Sequence, residues 1–238
     1  MKKHKKRLRN FRKKKFSITT QIILINILVF IFVNAYLLMS TEELNFENLG
    51  ILNYFTLTPQ KILQGEYLPS LFLHMFTHTI FFHLAVNMFV LFSLGNLCEK
   101  IIGRKRYIWF YISAGLFAGI LSVVLSGFLG NSKIGQTIFG DPSVPAVGAS
   151  GAIFGIAALL MMLIPRLKFS IIFLPFFSFP AYAIIPAAVL IMWVISIIFN
   201  LPIGNVAHFG GFLFGVFYGL YLRTKYKRKV VELQKMFR

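Results

Sequence analysis

Two short stretches hold residues able to do acyl-transfer chemistry, and a third holds groups able to support it. "VGASGAIFG" (147–155) sets Ser150 between Gly148, Ala149 and Gly151, and "NVAHFGG" (205–211) carries His208. "HMFTHTIFFHLAVN" (74–87) brings His74, His78, His83 and Asn87 together. A serine hydroxyl is a weak nucleophile until a base removes its proton, which a neutral imidazole can do. The oxyanion that follows attack needs fixed donors, each worth about 2.7–4 kcal/mol. His83 and Asn87 stand at i, i+4, so a helix points both the same way. They form a plausible donor pair beside the Ser150 backbone N–H. No acidic residue accompanies these groups, so a dyad rather than a triad is expected. Each also has a structural reading: Asn87 as an interhelical strut, His78 as a brace for the loop before its helix, and His74 with no assigned role. No His-Glu-x-x-His is present and no metal is called for. "GASGA" is not the nucleophile elbow of soluble hydrolases, since Ala152 takes the last glycine position and no strand precedes it.

The elements that must position these residues are membrane helices. Hydrophobic residues make up 57% of the chain and charged residues only 13%, against roughly a quarter charged in soluble domains; mean hydropathy is +0.74. Uncharged stretches of spanning length, about 20 residues, read as Ile18–Met39, Thr79–Cys98, Tyr107–Leu129 and Pro145–Ile164. A longer run is split by the turn signal "NLPIGN" (200–205) into Pro180–Phe199 and Asn205–Leu222. An all-α membrane protein of six spans is expected, with one membrane domain over 16–222 between basic tails at 1–15 and 223–238.

Charge sets the orientation. Of the 25 Lys and Arg, ten lie in the first fifteen residues and seven follow Leu222; Lys100, Arg104, Lys105 and Arg106 follow span two, and Arg166 and Lys168 follow span four. Six spans place all these clusters on one side, which the positive-inside rule makes cytoplasmic. Both termini are expected inside, the tails touching anionic lipid heads rather than nucleic acid. The basic N-terminus precedes an apolar stretch too long for a signal peptide and reads as leading into a retained helix. Lone Cys98 supplies neither disulfide nor thiolate metal site. With this topology spans two, four and six start on the outer face, so Ser150, His208, His83 and Asn87 share one depth. Ser150 is expected roughly 8 Å below the outer end of a helix that starts at Pro145. Gly151 and Gly155 on span four, and Gly211, Gly215 and Gly219 on span six, repeat every four residues and let two helices approach closely. If those faces meet, Ser150 and His208 come within hydrogen-bonding reach.

"HTIFFHLAVNM" (78–88), "GASGAIFG" (148–155) and "AHFGGFLFG" (207–215) together resemble the rhomboid family of intramembrane serine proteases, over Pro69 to about Tyr221. The resemblance implies Ser150 as nucleophile, His208 as base, His83 and Asn87 on the oxyanion side, and Phe154 as the aromatic packed beneath the base. "EKIIGRKRY" (99–107) resembles the family's short cytoplasmic link between spans two and three. Many members carry Trp-Arg about nine residues before the position of His78, where this chain has Pro69 and Ser70. His78, Phe154, Gly148 and Gly151 are expected to support the site, and Gly155, Gly211 and Gly215 to pack helices.

The expected activity is cleavage of substrate proteins in or beside their transmembrane segments, with no cofactor. The resemblance implies sideways substrate entry between spans two and five, and three prolines in "FLPFFSFPAYAIIP" (173–186) suit a distorted fifth helix. A silent relative that binds transmembrane segments is the alternative. A channel would need polar groups through the whole membrane depth, and here they stop in the outer half. The expected location is the cell membrane; substrate and oligomeric state are not readable.

Overall fold

The structure, a computed structural model, describes residues 16–40, 49–171 and 174–237. Its long helices are α1 (Ile18–Met39), α2 (Phe81–Ile102), α3 (Arg104–Leu129), α4 (Ser150–Leu163), α5 (Ala181–Ile198) and α6 (Asn205–Lys225), followed by a short α7 (Lys227–Lys235). Five of them, α1, α2, α3, α5 and α6, are long and apolar enough to cross a membrane. They present Leu28, Phe92, Trp109, Leu190 and Phe217 outward, as helices solvated by lipid rather than water do. The protein is a multi-pass helical membrane bundle. The expected basic tail at 1–15 lies outside the described residues.

The sixth apolar helix, α4, differs from its expected bounds. It has 14 residues, about 21 Å at 1.5 Å per residue, and starts at Ser150 instead of Pro145. Gly148 adopts φ +128°, which no helix accommodates, and Leu57 and Ala146 exchange backbone hydrogen bonds of 2.9 Å in each direction. That pairing holds the preceding residues extended, so Ser150 opens the helix rather than lying inside it. At the other end Pro165 cannot continue the helix. Most of α4 is buried; it is the central post of the bundle, packed by α3 and α6 and, through its far end, by α5.

Glycine sets the spacing of α4 and α6. A Cβ at Gly211 would run into the Gly151 carbonyl, and one at Gly215 into the Gly155 carbonyl. The two backbones touch over more than a helical turn, with α3 closing the third side through Ala118 against Gly151 and Ala114 against Gly155. Small residues permit this contact, and dispersion between close backbones replaces the hydrophobic drive that lipid removes.

Several local features depart from the periodicity of the sequence. Helix α2 starts at Phe81, leaving His78 in the preceding loop, and Leu91–Gly95 forms a π-helical turn within it. A Cβ at Gly95 would press on Tyr107 Oη at 2.5 Å. Helix α3 begins at Arg104, after Gly103 at φ +85°. Glu99, read from sequence only as part of a link, is buried and caps α1: its carboxylate accepts from the N–H groups of Ile18 at 2.9 Å and Thr19 at 3.0 Å, and from the Thr19 hydroxyl at 3.0 Å. Arg104 lies 3.7 Å away. A carboxylate at the positive end of a helix is favourable, and here it ties α1 to α2.

The all-α expectation needs correction. Lys168–Ile171 (β1) and Leu174–Pro180 (β2) pair as an antiparallel hairpin in the register Lys168 with Pro180 and Ser170 with Ser178. Three aromatics and two prolines in β2 disfavour helix there; α5 begins only after Pro180 and keeps Pro186 inside. The stretch after Leu222, expected as a solvated tail, is helical over its described part. Val230 of α7 is buried, and Gln234 donates to the Leu163 carbonyl at 3.0 Å, capping α4 from below.

Gly211→Ala tests the glycine contact. Overpacking of this kind costs about 1–3 kcal/mol, so the variant should unfold more readily in a detergent-denaturation titration, whereas Gly204→Ala, where a Cβ would meet only Ala207 at 3.9 Å, should not.

Candidate active site

Two helix starts and one loop converge on Ser150. It is the first residue of α4, and His208 lies in the first turn of α6; with the glycine faces in contact, Ser150 Oγ and His208 Nε2 stand 2.7 Å apart. The separation suits a hydroxyl donating to an imidazole nitrogen. The other ring nitrogen, Nδ1, is buried with no hydrogen-bond partner among the described residues. No described carboxylate holds the ring from behind. Instead Phe154, one turn along α4 from Ser150, lies against it at 4.8 Å between centroids and 34° between planes, fixing its plane by packing.

The N-terminal position of Ser150 has a chemical consequence. The first N–H groups of a helix have no intrahelical acceptor and carry the positive end of its dipole. Those of α4 therefore surround the serine with free donors. Ile153 N–H is the first to be satisfied from within, by Ala149 O at 3.0 Å.

The His83 ring completes the opposite wall. A Cβ at Gly148 would meet His83 Cε1 at 2.8 Å and lie 3.8 Å from Ser150 Oγ. Glycine is needed there twice, for the positive φ and for the approach of the ring. His78 is fully buried and meets the His83 ring edge-on at 4.9 Å between centroids. Asn87 faces the same way as His83 but donates to the His83 carbonyl at 2.9 Å. One of its two amide N–H groups is thereby engaged in its own helix, leaving the other to serve a ligand.

His74, which sequence reasoning left without a role, holds the loop of the serine. Its carbonyl accepts from the Gly148 N–H at 2.9 Å, and its Nδ1 pairs with the Ser70 carbonyl at 2.9 Å. Its ring lies on the face of α3 at Gly119. The Gly148 N–H is therefore spent on structure. Burial pushes His74 down to about 4, and burial with the nearby His83 ring pushes His78 down to about 3. Both rings are neutral at ordinary pH; His74 acts through its hydrogen bond to Ser70 and His78 by packing against His83. The tie from His74 was not readable, because it uses a backbone carbonyl that carries no residue-type signal. Among the described residues no three His, Cys, Asp or Glu side chains converge as a metal site.

The arrangement sets a hydroxyl in contact with an imidazole, beside the N–H groups of a helix start, with glycine wherever two backbones or a ring must close in. Phe154→Ala should leave the helices intact and slow the labelling of Ser150 by a fluorophosphonate about 10-fold to 100-fold, the cost of a small misplacement of a catalytic group. Circular dichroism and labelling kinetics read the two effects separately.

Comparison with known proteins places the chain in a family. Residues 65–225 match the family model described as Rhomboid domain. The Presenilin-associated rhomboid-like protein, mitochondrial, of Homo sapiens is 33% identical over 172 residues, which cover 72% of this chain and 41% of that protein. Rhomboid protein 1, mitochondrial, of Saccharomyces cerevisiae is 27% identical over 188 residues, covering 74% of this chain and 48% of the relative. Rhomboid protease GluP of Bacillus subtilis is 28% identical over 160 residues, covering 66% and 26%. The chain thus spans less than half the length of these curated relatives.

Proposed function

The chain belongs to the rhomboid family, and from that premise we propose that it is an intramembrane serine endopeptidase working through a Ser150–His208 dyad. The observation that carries this reading is the 2.7 Å contact of Ser150 Oγ with His208 Nε2. Ser150 Oγ attacks a peptide carbonyl carbon while His208 Nε2 takes its proton. The oxyanion is received by N–H groups at the start of α4, with His83 and the free amide N–H of Asn87. Collapse releases the amine, which His208 protonates, and water then hydrolyses the acyl-enzyme by the same proton path. The substrates are membrane proteins cut in or beside a transmembrane segment. A helix hides its carbonyls in its own hydrogen bonds, so the segment must unwind locally before attack, and helix-weakening residues near the bond favour cleavage.

In this reading α4 is counted as a sixth membrane helix, below spanning length but ringed by the others, over a domain of 16–222. Both termini lie in the cytoplasm or its equivalent compartment, by the distribution of Lys and Arg. Ser150 then opens toward the opposite side. Substrate enters laterally between α2 and α5, whose facing edge carries the proline-bearing start of α5. The human and yeast relatives are named as mitochondrial proteins, so the expected cell-membrane location gains no support and the proposal is confined to an integral membrane protein.

Purified protein in detergent, treated with a fluorophosphonate probe beside Ser150→Ala and His208→Ala, tests the dyad. Wild type should label and both variants should not; a well-folded wild type that stays unlabelled would favour a silent, segment-binding relative. Against a transmembrane reporter substrate, His83→Ala and Asn87→Ala should lower kcat by about 10-fold to 100-fold, less than loss of a full oxyanion donor, with KM little changed. A change in KM alone would remove them from the transition state.

A further inference from the structure

On the perimeter of the bundle, away from Ser150, α3 and α6 enclose a groove of about 360 Å³. Lys105 and Arg106 stand at its mouth, and Trp109, Phe110, Phe214 and Tyr218 form its walls. From Lys105 to Ser113 it follows two turns of α3, about 12 Å. The groove is therefore amphipathic along its length, cationic at the helix end and aromatic further in.

Three observations specify its occupant. First, the wall is presented to lipid: Trp109 is 63% exposed on a helix apolar enough to cross a membrane, so in a bilayer the groove is filled by lipid. Second, its aromatics are ordered by one another. Phe110 lies 5.6 Å from Phe214 and 5.1 Å from Tyr218, and the Phe214 and Tyr218 rings are parallel within 4°. They make a rigid slot of acyl-chain character. Third, the cations are held and not neutralised. Arg106 donates to Tyr226 Oη at 2.9 Å and lies 4.9 Å from that ring centroid. Lys225 lies 5.9 Å from the same centroid and 2.6 Å from Tyr221 Oη. No ion pair with a described acidic residue engages Lys105, Arg106 or Lys225; the nearby Glu99 is spent on α1 and Arg104.

We propose that this groove is a binding site for one anionic diacyl phospholipid, its phosphate at Lys105 and Arg106 and one acyl chain along Trp109, Phe110 and Phe214. A zwitterionic lipid brings its own cation to the mouth and gains less there. A basic pocket between transmembrane helices at the headgroup level suits such a ligand. The lipid would lie across the α3–α6 seam, on the helix that carries His208, and stabilise that pair without touching the dyad.

The chain has two tryptophans, so Trp193→Phe leaves Trp109 as the only reporter. In nanodiscs of phosphatidylcholine with a small fraction of brominated lipid, brominated phosphatidylglycerol should quench Trp109 several-fold more than brominated phosphatidylcholine. Adding Lys105→Gln and Arg106→Gln should abolish the preference, because each charge near the headgroups carries roughly fivefold of it. A control losing the same charge on α7, Lys229→Gln with Lys235→Gln, should keep it. Native mass spectrometry of the delipidated wild type should show one retained phosphatidylglycerol and no retained soluble glycerol phosphate. Equal quenching by both lipids, equal loss in the α7 control, or retention of glycerol phosphate would each overturn the assignment. None of these readouts depends on peptidase activity, so their failure is distinct from failure of the dyad.

Discussion

The close approach of α4 and α6 is the constraint from which the rest of the molecule follows. Gly151 and Gly155 meet Gly211 and Gly215 with backbone on backbone, and lipid offers no hydrophobic drive to replace that contact by looser packing. The separation of the two helix axes decides whether Ser150 and His208 share a proton or face one another across a gap. Because both residues sit in the first turn of their helices, the geometry needs alignment of two starts as well as proximity.

Alignment of the starts comes from outside the helix pair. The Leu57–Ala146 backbone pair, Gly148 in a positive-φ conformation, and the bond from Gly148 N–H to the His74 carbonyl together stop α4 at Ser150. The segment of His74 also carries His78 and leads into His83, so one segment, braced on α3 at Gly119, positions both Ser150 and its opposite wall. A short α4 serves this arrangement: it leaves depth above the serine for polar loop residues, where a full span would have filled that depth with helix. The pairs Ser150–His208 and His74–Ser70 lower the cost of placing these polar groups in a membrane protein.

At the opposite end the structure uses charge differently. Glu99 is buried against the start of α1 and is satisfied by two backbone N–H groups and a hydroxyl, while the cations around it remain exposed. That end is thus divided between one compensated carboxylate, which locks α1 to α2, and exposed Lys and Arg. The aromatic groove between α3 and α6 lies where that second population meets the apolar wall.

By itself the sequence determined the class and most of the spans, because burying a transmembrane helix in lipid demands a long uncharged run that composition cannot disguise. It also determined which residue types could do chemistry, since a serine, a histidine and a His-Asn pair at helical spacing are rare in such runs, and the glycine period marked the faces that could meet. Tertiary structure decided where α4 begins, because a positive-φ glycine and a backbone pairing between residues 57 and 146 outweigh the hydrophobic pattern that runs on to Pro145. It decided the hairpin at 168–180, where proline and aromatic content override hydropathy, and the work of His74 and Glu99, which act on backbone groups that have no sequence signature. The 2.7 Å contact itself belongs to both: its partners were legible one by one, and only the packing of three helices could set the distance between them.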